Sequence, residues 1–290
     1  MNTERHGSVL LRKLQERRGM MVAGAANALA ARVIEQQGFE AVYLSGAGIT
    51  NTFYGMPDLG FVGLADLVQH TAATRDAVQL PIIVDADTGF GNALNVGHTV
   101  RSLERAGANA IQLEDQQSPK KCGHFSGKAV ISATEAASKI RAAVDARVNR
   151  DFLIIARTDA RAVEGLNAAL DRAALYVENG ADITFVEAPE SVDELRRIPQ
   201  ALAAPQIVNV VIGGKTPTLD AADYAAMGFA LVLYANAALQ GALLGMTSAL
   251  QHLRQTGRLD EDSGLVASFK DRQRIVQKNL FDELDRRYGV

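Results

Sequence analysis

Cysteine is almost absent: Cys122 stands alone among 290 residues, so no intramolecular disulfide can form. An excess of one charge sign is missing too. Lys+Arg 30 against Asp+Glu 33 leaves a formal net charge of −3, which offers no global field for nucleic acid or an anionic membrane surface. Met1 to Gln15 carries charges where a secretory signal needs an apolar centre, and the expectation is a cytoplasmic protein. No Pro- or Ser-rich linker divides the chain, and the seven prolines are scattered, so one domain over 1–290 is expected, with a helical extension from about 257. The one long uncharged run, Ala225 to Leu250, could span a bilayer by length. Gly228 divides it, and Asn236, Gln240, Thr247 and Ser248 interrupt it, so it reads as a buried strand followed by a packed helix.

What is present is a recurring unit. The phrases QQGFEAVYL, RAGANAIQL, ENGADITFV and AMGFALVLY each end a helical stretch on glycine and lead into a short apolar run, as an αβ loop with a glycine C-cap does. Such runs occur at Met20 to Ala23, Ala41 to Leu44, Ile82 to Val84, Ala110 to Leu113, Phe152 to Ala156, Ile183 to Val186, Gln206 to Val208 and Leu231 to Leu233. Helical stretches lie between them, for example Ala26 to Gln37, Leu94 to Ala106, Ala133 to Arg147 and Leu166 to Asn179. Eight β/α units over about 235 residues predict a closed (β/α)8 barrel rather than an open sheet. The dinucleotide fingerprint is incomplete, because Leu94 stands where the third glycine after Gly89 and Gly91 should be. A P-loop ending at Gly214-Lys215-Thr216 would need its first glycine at Asn209.

Barrel enzymes carry their chemistry at the carboxyl ends of the strands. Here those ends read Ser45-Gly46-Ala47-Gly48, Asp85-Ala86-Asp87, Glu114-Asp115, Arg157-Thr158-Asp159, Glu187 and Asn209. One such Asp is usually a helix cap. Asp85, Asp87, Glu114 and Glu187 converging on one rim would repel one another unless a cation sat among them, and oxygen-only ligands favour Mg²⁺ or Mn²⁺ over zinc. The alternative is a carboxylate and Arg157 network that only holds the rim together. The turn at Ser45 to Gly48 offers backbone N–H groups and a hydroxyl to a carboxylate or phosphate.

The fourth loop, Gln116 to Lys128, is long for a compact barrel and contains Lys120-Lys121-Cys122-Gly123-His124. A lone cysteine is ordinarily an inert buried hydrophobe. The two lysines and the imidazole argue against burial and would draw the thiol pKa down towards neutrality, where it could serve as an acid–base group.

The segments GFEAVYLSGAG, PDLGF, DADTGFGNALNV, LEDQ…PKKCGHFSGK, IIARTDA, FVEAP and GGKTP, in this order, resemble the isocitrate lyase/phosphoenolpyruvate mutase superfamily over most of the chain. The resemblance implies a (β/α)8 barrel with an exchanged C-terminal helix in a homotetramer. It implies Asp87 as the direct ligand of Mg²⁺ (or Mn²⁺), with Asp85 and Glu114 acting through metal-bound water and Asp58 beside the metal. Ser45, Gly46, Ala47 and Arg157 would hold the carboxylate end of a small acid, with Glu187 and Asn209 lining the pocket and Tyr43 near the reacting hydroxyl. Lys120, Cys122, Gly123 and His124 match the family's mobile catalytic loop, in whose lyase branch the cysteine is the general acid. The implied reaction is cleavage of a 2-hydroxy acid between C2 and C3. Two departures narrow it: Phe125 stands directly after His124 where methylisocitrate lyases usually carry Arg, and Ala235 follows Tyr234 where Pro is common. A malate-type acid is therefore expected over a tricarboxylate. The alternatives are a phosphonate P–C bond enzyme of the carboxyvinyl-carboxyphosphonate phosphorylmutase type, an oxaloacetate C–C hydrolase, and a catalytically silent metabolite-binding barrel.

Overall fold

The structure is a computed structural model that describes residues 4–125 and 127–289. Eight parallel strands close a barrel in chain order: β1 (Met20–Ala25), β2 (Val42–Leu44), β3 (Ile82–Asp85), β4 (Ala110–Glu114), β5 (Leu153–Thr158), β6 (Ile183–Val186), β7 (Gln206–Asn209) and β8 (Leu231–Tyr234), which pairs back onto β1. All eight expected runs are strands, each within two residues of its expected bounds. The helices between them start where the sequence supplies acceptors. Asn27 accepts from Ala30 N at 2.9 Å to cap Ala28–Gln36, and Ser132 accepts from Glu135 N at 3.1 Å to cap Ala133–Ala146.

The strand period of two divides the apolar residues between two cores. Tyr43, Ile83, Ala110, Ile155, Phe185, Ile207 and Leu233 point into the barrel, while Val42, Leu44, Val84, Ile111 and Ala156 pack against the surrounding helices. Leu10 and Leu14 of the helix Glu4–Gln15 join the inner set, so this amphipathic helix lies across the amino-terminal end of the barrel. The same inward parity, followed towards the carboxyl ends, reaches Asp85, Gln112, Glu114, Arg157, Glu187 and Asn209. The barrel's register itself therefore brings these groups to one mouth.

The carboxyl-terminal part departs from expectation in two places. The helix Ala237–Thr256 meets its own barrel at β1 but leaves most of its length uncovered: Ala249 is its one buried residue, while Leu243, Leu244, Met246 and Leu250 are each more than half exposed. The helical extension expected from about 257 is broken, and its end consists of two helices, Phe269–Ile275 and Lys278–Tyr288. Gln277 adopts φ +56°, a left-handed conformation that ends the first helix, because its N–H turns back to Arg274 O at 3.1 Å. Among the described residues no helix is long and apolar enough to cross a membrane.

Candidate active site

The mouth of the barrel holds a cavity of about 450 Å³, solvent at its entrance included. Tyr43, Ser45, Ala47, Asp58, Asp85, Lys120, Cys122, Gly123, His124, Arg157, Glu187 and Asn209 all line it. Of the remaining expected residues, Gly46 sits directly behind the wall: a Cβ there would lie 3.3 Å from both Asp85 Oδ2 and Asp87 Oδ1, so the absence of a side chain lets the backbone approach the carboxylates. Asp87 pairs with Lys120, and Glu114 pairs with Arg157, its register partner across β4 and β5.

The β2 turn is less free than expected. Ser45 Oγ accepts from Gly48 N at 3.1 Å, and Gly46 N donates to Asp85 Oδ2 at 3.3 Å, so the hydroxyl serves as a helix cap as well as a wall of the cavity. Below it, Tyr43 OH donates to Gln112 Oε1 at 2.8 Å and Gln112 Nε2 donates to Asp85 Oδ1 at 3.1 Å. Burial, reinforced by the charge of Asp85, holds the Tyr43 phenol well above its ordinary pKa, so it is a hydrogen-bonding phenol and not a base near neutrality.

The charges at the rim are buried and only partly matched. Lys120 Nζ lies 2.6 Å from Asp58 Oδ1 and 2.8 Å from Asp87 Oδ1. Burial works to lower the Lys120 pKa, but Asp87, Asp85, Glu114 and Asp58 together raise it well above its usual value. Burial pushes the Asp87 carboxyl up to about 7 despite Lys120, and Asp85 adds to the rise. Glu114 is likewise raised by burial in spite of Arg157, and its Oε1 has no hydrogen-bond partner among the described residues. Arg157 is shared among Asp159 (2.9 Å), Glu114 (3.4 Å) and Glu187 (3.7 Å).

These donors suit one kind of cation. Among the described residues no three His, Cys, Asp or Glu side chains converge as a ready-made cage. A hard cation that keeps most of its hydration shell and takes one or two carboxylates, as Mg²⁺ does, matches oxygen donors that are short of positive charge.

The fourth loop is folded down over the mouth. His124 Nε2 lies 3.1 Å from Glu187 Oε1, and His124 Nδ1 accepts from Lys215 N at 3.0 Å, which gives the GGKTP segment its place. Gly123 is required there, because a Cβ would come within 2.3 Å of Arg157 and 2.5 Å of Glu187. The expectations for Cys122 need correction. The flanking charges do not keep it exposed, since Lys120 turns into the carboxylates and Lys121 Nζ turns out to Gly127 O at 3.0 Å. Burial raises the thiol pKa above its ordinary value, and the His124 N–H offsets this only in part. Cys122 is a protonated thiol facing the cavity, not a thiolate.

Phe125 is nearly half exposed and does not line the cavity. The wall away from the carboxylates is made by Phe185, Val211, Leu233 and Ala235, with Asn209 and Asn236 between them; Oδ1 of both asparagines is buried without a partner among the described residues. Sequence reasoning passed over Gln112, which the parity Ala110, Gln112, Glu114 could have found, and over the network behind Arg157. There Asp115 accepts from Thr158 Oγ1 and Tyr176 OH, both at 2.7 Å, and from Asp159 N at 2.9 Å. Asp115 and Asp159 were visible as strand-end acids; the parity that turns Glu114 inward turns Asp115 outward, whereas nothing in the sequence says that Asp159 turns to Arg157 and Lys128.

A barrel with carboxylates, one arginine and a thiol-bearing loop at its carboxyl-terminal mouth belongs to the class of enzymes that handle small anionic acids. Comparison with known proteins makes the class specific. The family model for phosphoenolpyruvate phosphomutase matches residues 11–254. The chain is 40% identical over 281 residues to 2,3-dimethylmalate lyase of Eubacterium barkeri, covering 97% of each chain. It is 48% identical over 255 residues to 2-methylisocitrate lyase of Aeropyrum pernix, covering 88% of this chain and 82% of the relative. Among solved structures, oxaloacetate acetylhydrolase in complex with 3,3-difluorooxalacetate superposes with a TM-score of 0.92 at 32% identity, covering 98% of this chain and 97% of the other. Phosphonopyruvate hydrolase in complex with oxalate and Mg²⁺ gives 0.87 at 30%, covering 98% and 99%. The chain belongs to the phosphoenolpyruvate mutase/isocitrate lyase superfamily.

Proposed function

We propose that the chain is a Mg²⁺-dependent carbon–carbon lyase that cleaves a small malate-type 2-hydroxy acid into a 2-oxo acid and a carboxylic acid. The observation that carries this reading is the seating of the protonated Cys122 thiol over the same cavity that Arg157 and the buried carboxylates line. A thiol so held can give a proton to carbon, and the 2,3-dimethylmalate lyase relative is matched along nearly the whole chain, as is the phosphorylmutase relative of the rival reading.

Asp87 would hold the metal directly, with Asp85 and Glu114 acting through its water, and Mn²⁺ would satisfy the same donors. When bound, the metal supplies Lewis-acid stabilisation of the charge that develops on the forming oxo acid. The chain's own groups do the rest. Arg157, with the backbone at Gly46 and Ala47, binds the carboxylate next to C2, and Tyr43 orients the C2 oxygen. The hydroxyl proton passes to a rim carboxylate, its electron pair forms the carbonyl, and the C2–C3 pair leaves on C3. Cys122 Sγ–H then delivers its proton to C3, and the thiolate recovers a proton from the rim, so the count closes. The loop keeps bulk water from the carbanion through His124 and Gly123.

The wall of Val211, Leu233 and Ala235 is apolar, with Phe185 beside it under the Arg157 guanidinium at 5.3 Å, and an apolar wall suits an alkyl substituent on C3 better than a third carboxylate. The test is a panel of alkyl-substituted malates, 2-methylisocitrate, oxaloacetate and phosphonopyruvate with Mg²⁺, followed for 2-oxo acid release. Turnover of a substituted malate with the highest kcat/KM supports the reading. Preference for phosphonopyruvate, or for oxaloacetate giving oxalate, replaces it with the P–C or the hydrolase chemistry.

A further inference from the structure

Lys128 lies at the far end of the loop, outside the cavity lining, yet its side chain is only 2% exposed. Its ammonium donates to two acceptors from different parts of the chain: Asp159 Oδ1 at 2.6 Å, and the carbonyl of Gly123, the residue directly after Cys122. Asp159 in turn grips Arg157, taking hydrogen bonds from Nε at 2.9 Å and from a terminal guanidinium nitrogen at 3.1 Å. It is fixed from behind through its N–H to Asp115. One ammonium thus ties the thiol's neighbour to the carboxylate that orients the substrate-binding arginine. Gly123 passes so close to Arg157 that a Cβ there would lie 2.3 Å from its guanidinium.

A buried lysine is costly unless fully partnered, so lifting the loop would require Lys128 to leave Asp159 for water. Asp159 would then hold Arg157 alone. From this geometry we infer that Lys128 is a positioning residue, the latch that locks the Cys122 loop onto the Arg157–Asp159 pair when an acid is bound. The inference rests on the lyase reading for the roles of Arg157 and Cys122, and on the hydrogen bonds of Lys128 for the latch itself.

The experiment is limited chymotryptic cleavage after the partly exposed Phe125, in Mg²⁺ with oxalate as the probe, run beside steady-state kinetics and thermal melting for wild type, Lys128→Met, Lys128→Gln and Lys128→Arg. Losing a hydrogen-bonded ion pair that exists only in the closed loop should raise the cleavage rate at Phe125 by about 10- to 100-fold in Lys128→Met and Lys128→Gln. Cleavage elsewhere and the melting temperature should change little, and kcat should fall more than KM rises. Lys128→Arg, which keeps the charge, should recover protection to within about threefold. An unchanged rate at Phe125 in either folded neutral variant overturns the latch. So does an equal rise at every chymotryptic site with a lowered melting temperature, which marks a packing role, and so does failure of both neutral variants to fold, which marks the same role. Proteolysis needs no turnover, so a chain inert towards every acid of the panel would sink the lyase reading and leave the latch standing.

Discussion

The barrel mouth and the carboxyl-terminal helices treat their difficult groups in opposite ways. At the mouth, Asp58, Asp85, Asp87, Glu114, Arg157 and Glu187 are all less than a tenth exposed, and Lys120 and Arg157 offset the carboxylates only in part. Beyond Ala237 the apolar residues are left in the open: Leu244 is 71% exposed, Phe269 63% and Phe281 59%. Burying charge is worth its cost only where chemistry uses it, and exposing this much apolar surface is stable only where something covers it. For the uncovered carboxyl-terminal helices we propose a second copy of the chain as the cover, in a homotetramer with exchanged helices.

The largest effect should come from unbalancing the mouth. Asp87→Ala should abolish turnover beyond rescue by added Mg²⁺, whereas EDTA should abolish it reversibly; full activity in excess chelator would remove the metal from the reading. Next comes the proton donor. Cys122→Ser keeps the size but replaces the thiol with a far weaker acid, and kcat should fall about 10²- to 10⁴-fold with the acid's Kd nearly unchanged. A lower melting temperature with kcat preserved would instead make Cys122 a packing residue.

The other half of the comparison is tested by charge. Phe281→Asp together with Leu284→Asp should leave the barrel folded and shift the particle to a smaller species in light scattering. Each such side chain contributes about 1.5–3 kcal/mol when covered. A wild-type monomer would show that these helices have no partner.

The smallest effect is a pH shift. Burial raises the Cys122 pKa, so the thiol keeps its proton through the neutral range and loses it only as the pH rises past the ordinary thiol value. Alkylation by iodoacetamide should therefore be slow at neutral pH and climb only above the ordinary thiol range. An inflection below the ordinary thiol value would restore the exposed, cation-activated cysteine that the flanking lysines suggest.

That pair of readings shows where the sequence is legible. Strand parity and the glycine-ended helices fix the barrel and bring the inward strand-end acids Asp85, Glu114 and Glu187 to one rim, because register is periodic and local in cause. What Lys120, Lys121 and Lys128 do is not periodic. Adjacent or near in sequence, they turn to the rim acids, to Gly127 O and to Asp159, and only tertiary structure decides which. The break at Gln277 is hidden for a related reason: Ile275, Val276, Leu280, Phe281 and Leu284 keep a helical spacing across it, and a left-handed residue of ordinary type leaves no mark on that spacing. The exposure of Ala237–Thr256 is invisible for another, since a helix covered by its own barrel and one covered by a neighbour carry the same apolar residues.

The central claim, that this mouth breaks a carbon–carbon bond and then protonates the carbanion, is tested most directly by running the preferred acid of the panel in D₂O with Mg²⁺ and following both products by NMR. The lyase reading predicts a 2-oxo acid and a carboxylic acid in equal amounts, the latter carrying one deuteron on the carbon that left C2, with no product after chelation. Products without that deuteron, or product formation unchanged by chelator, would contradict it.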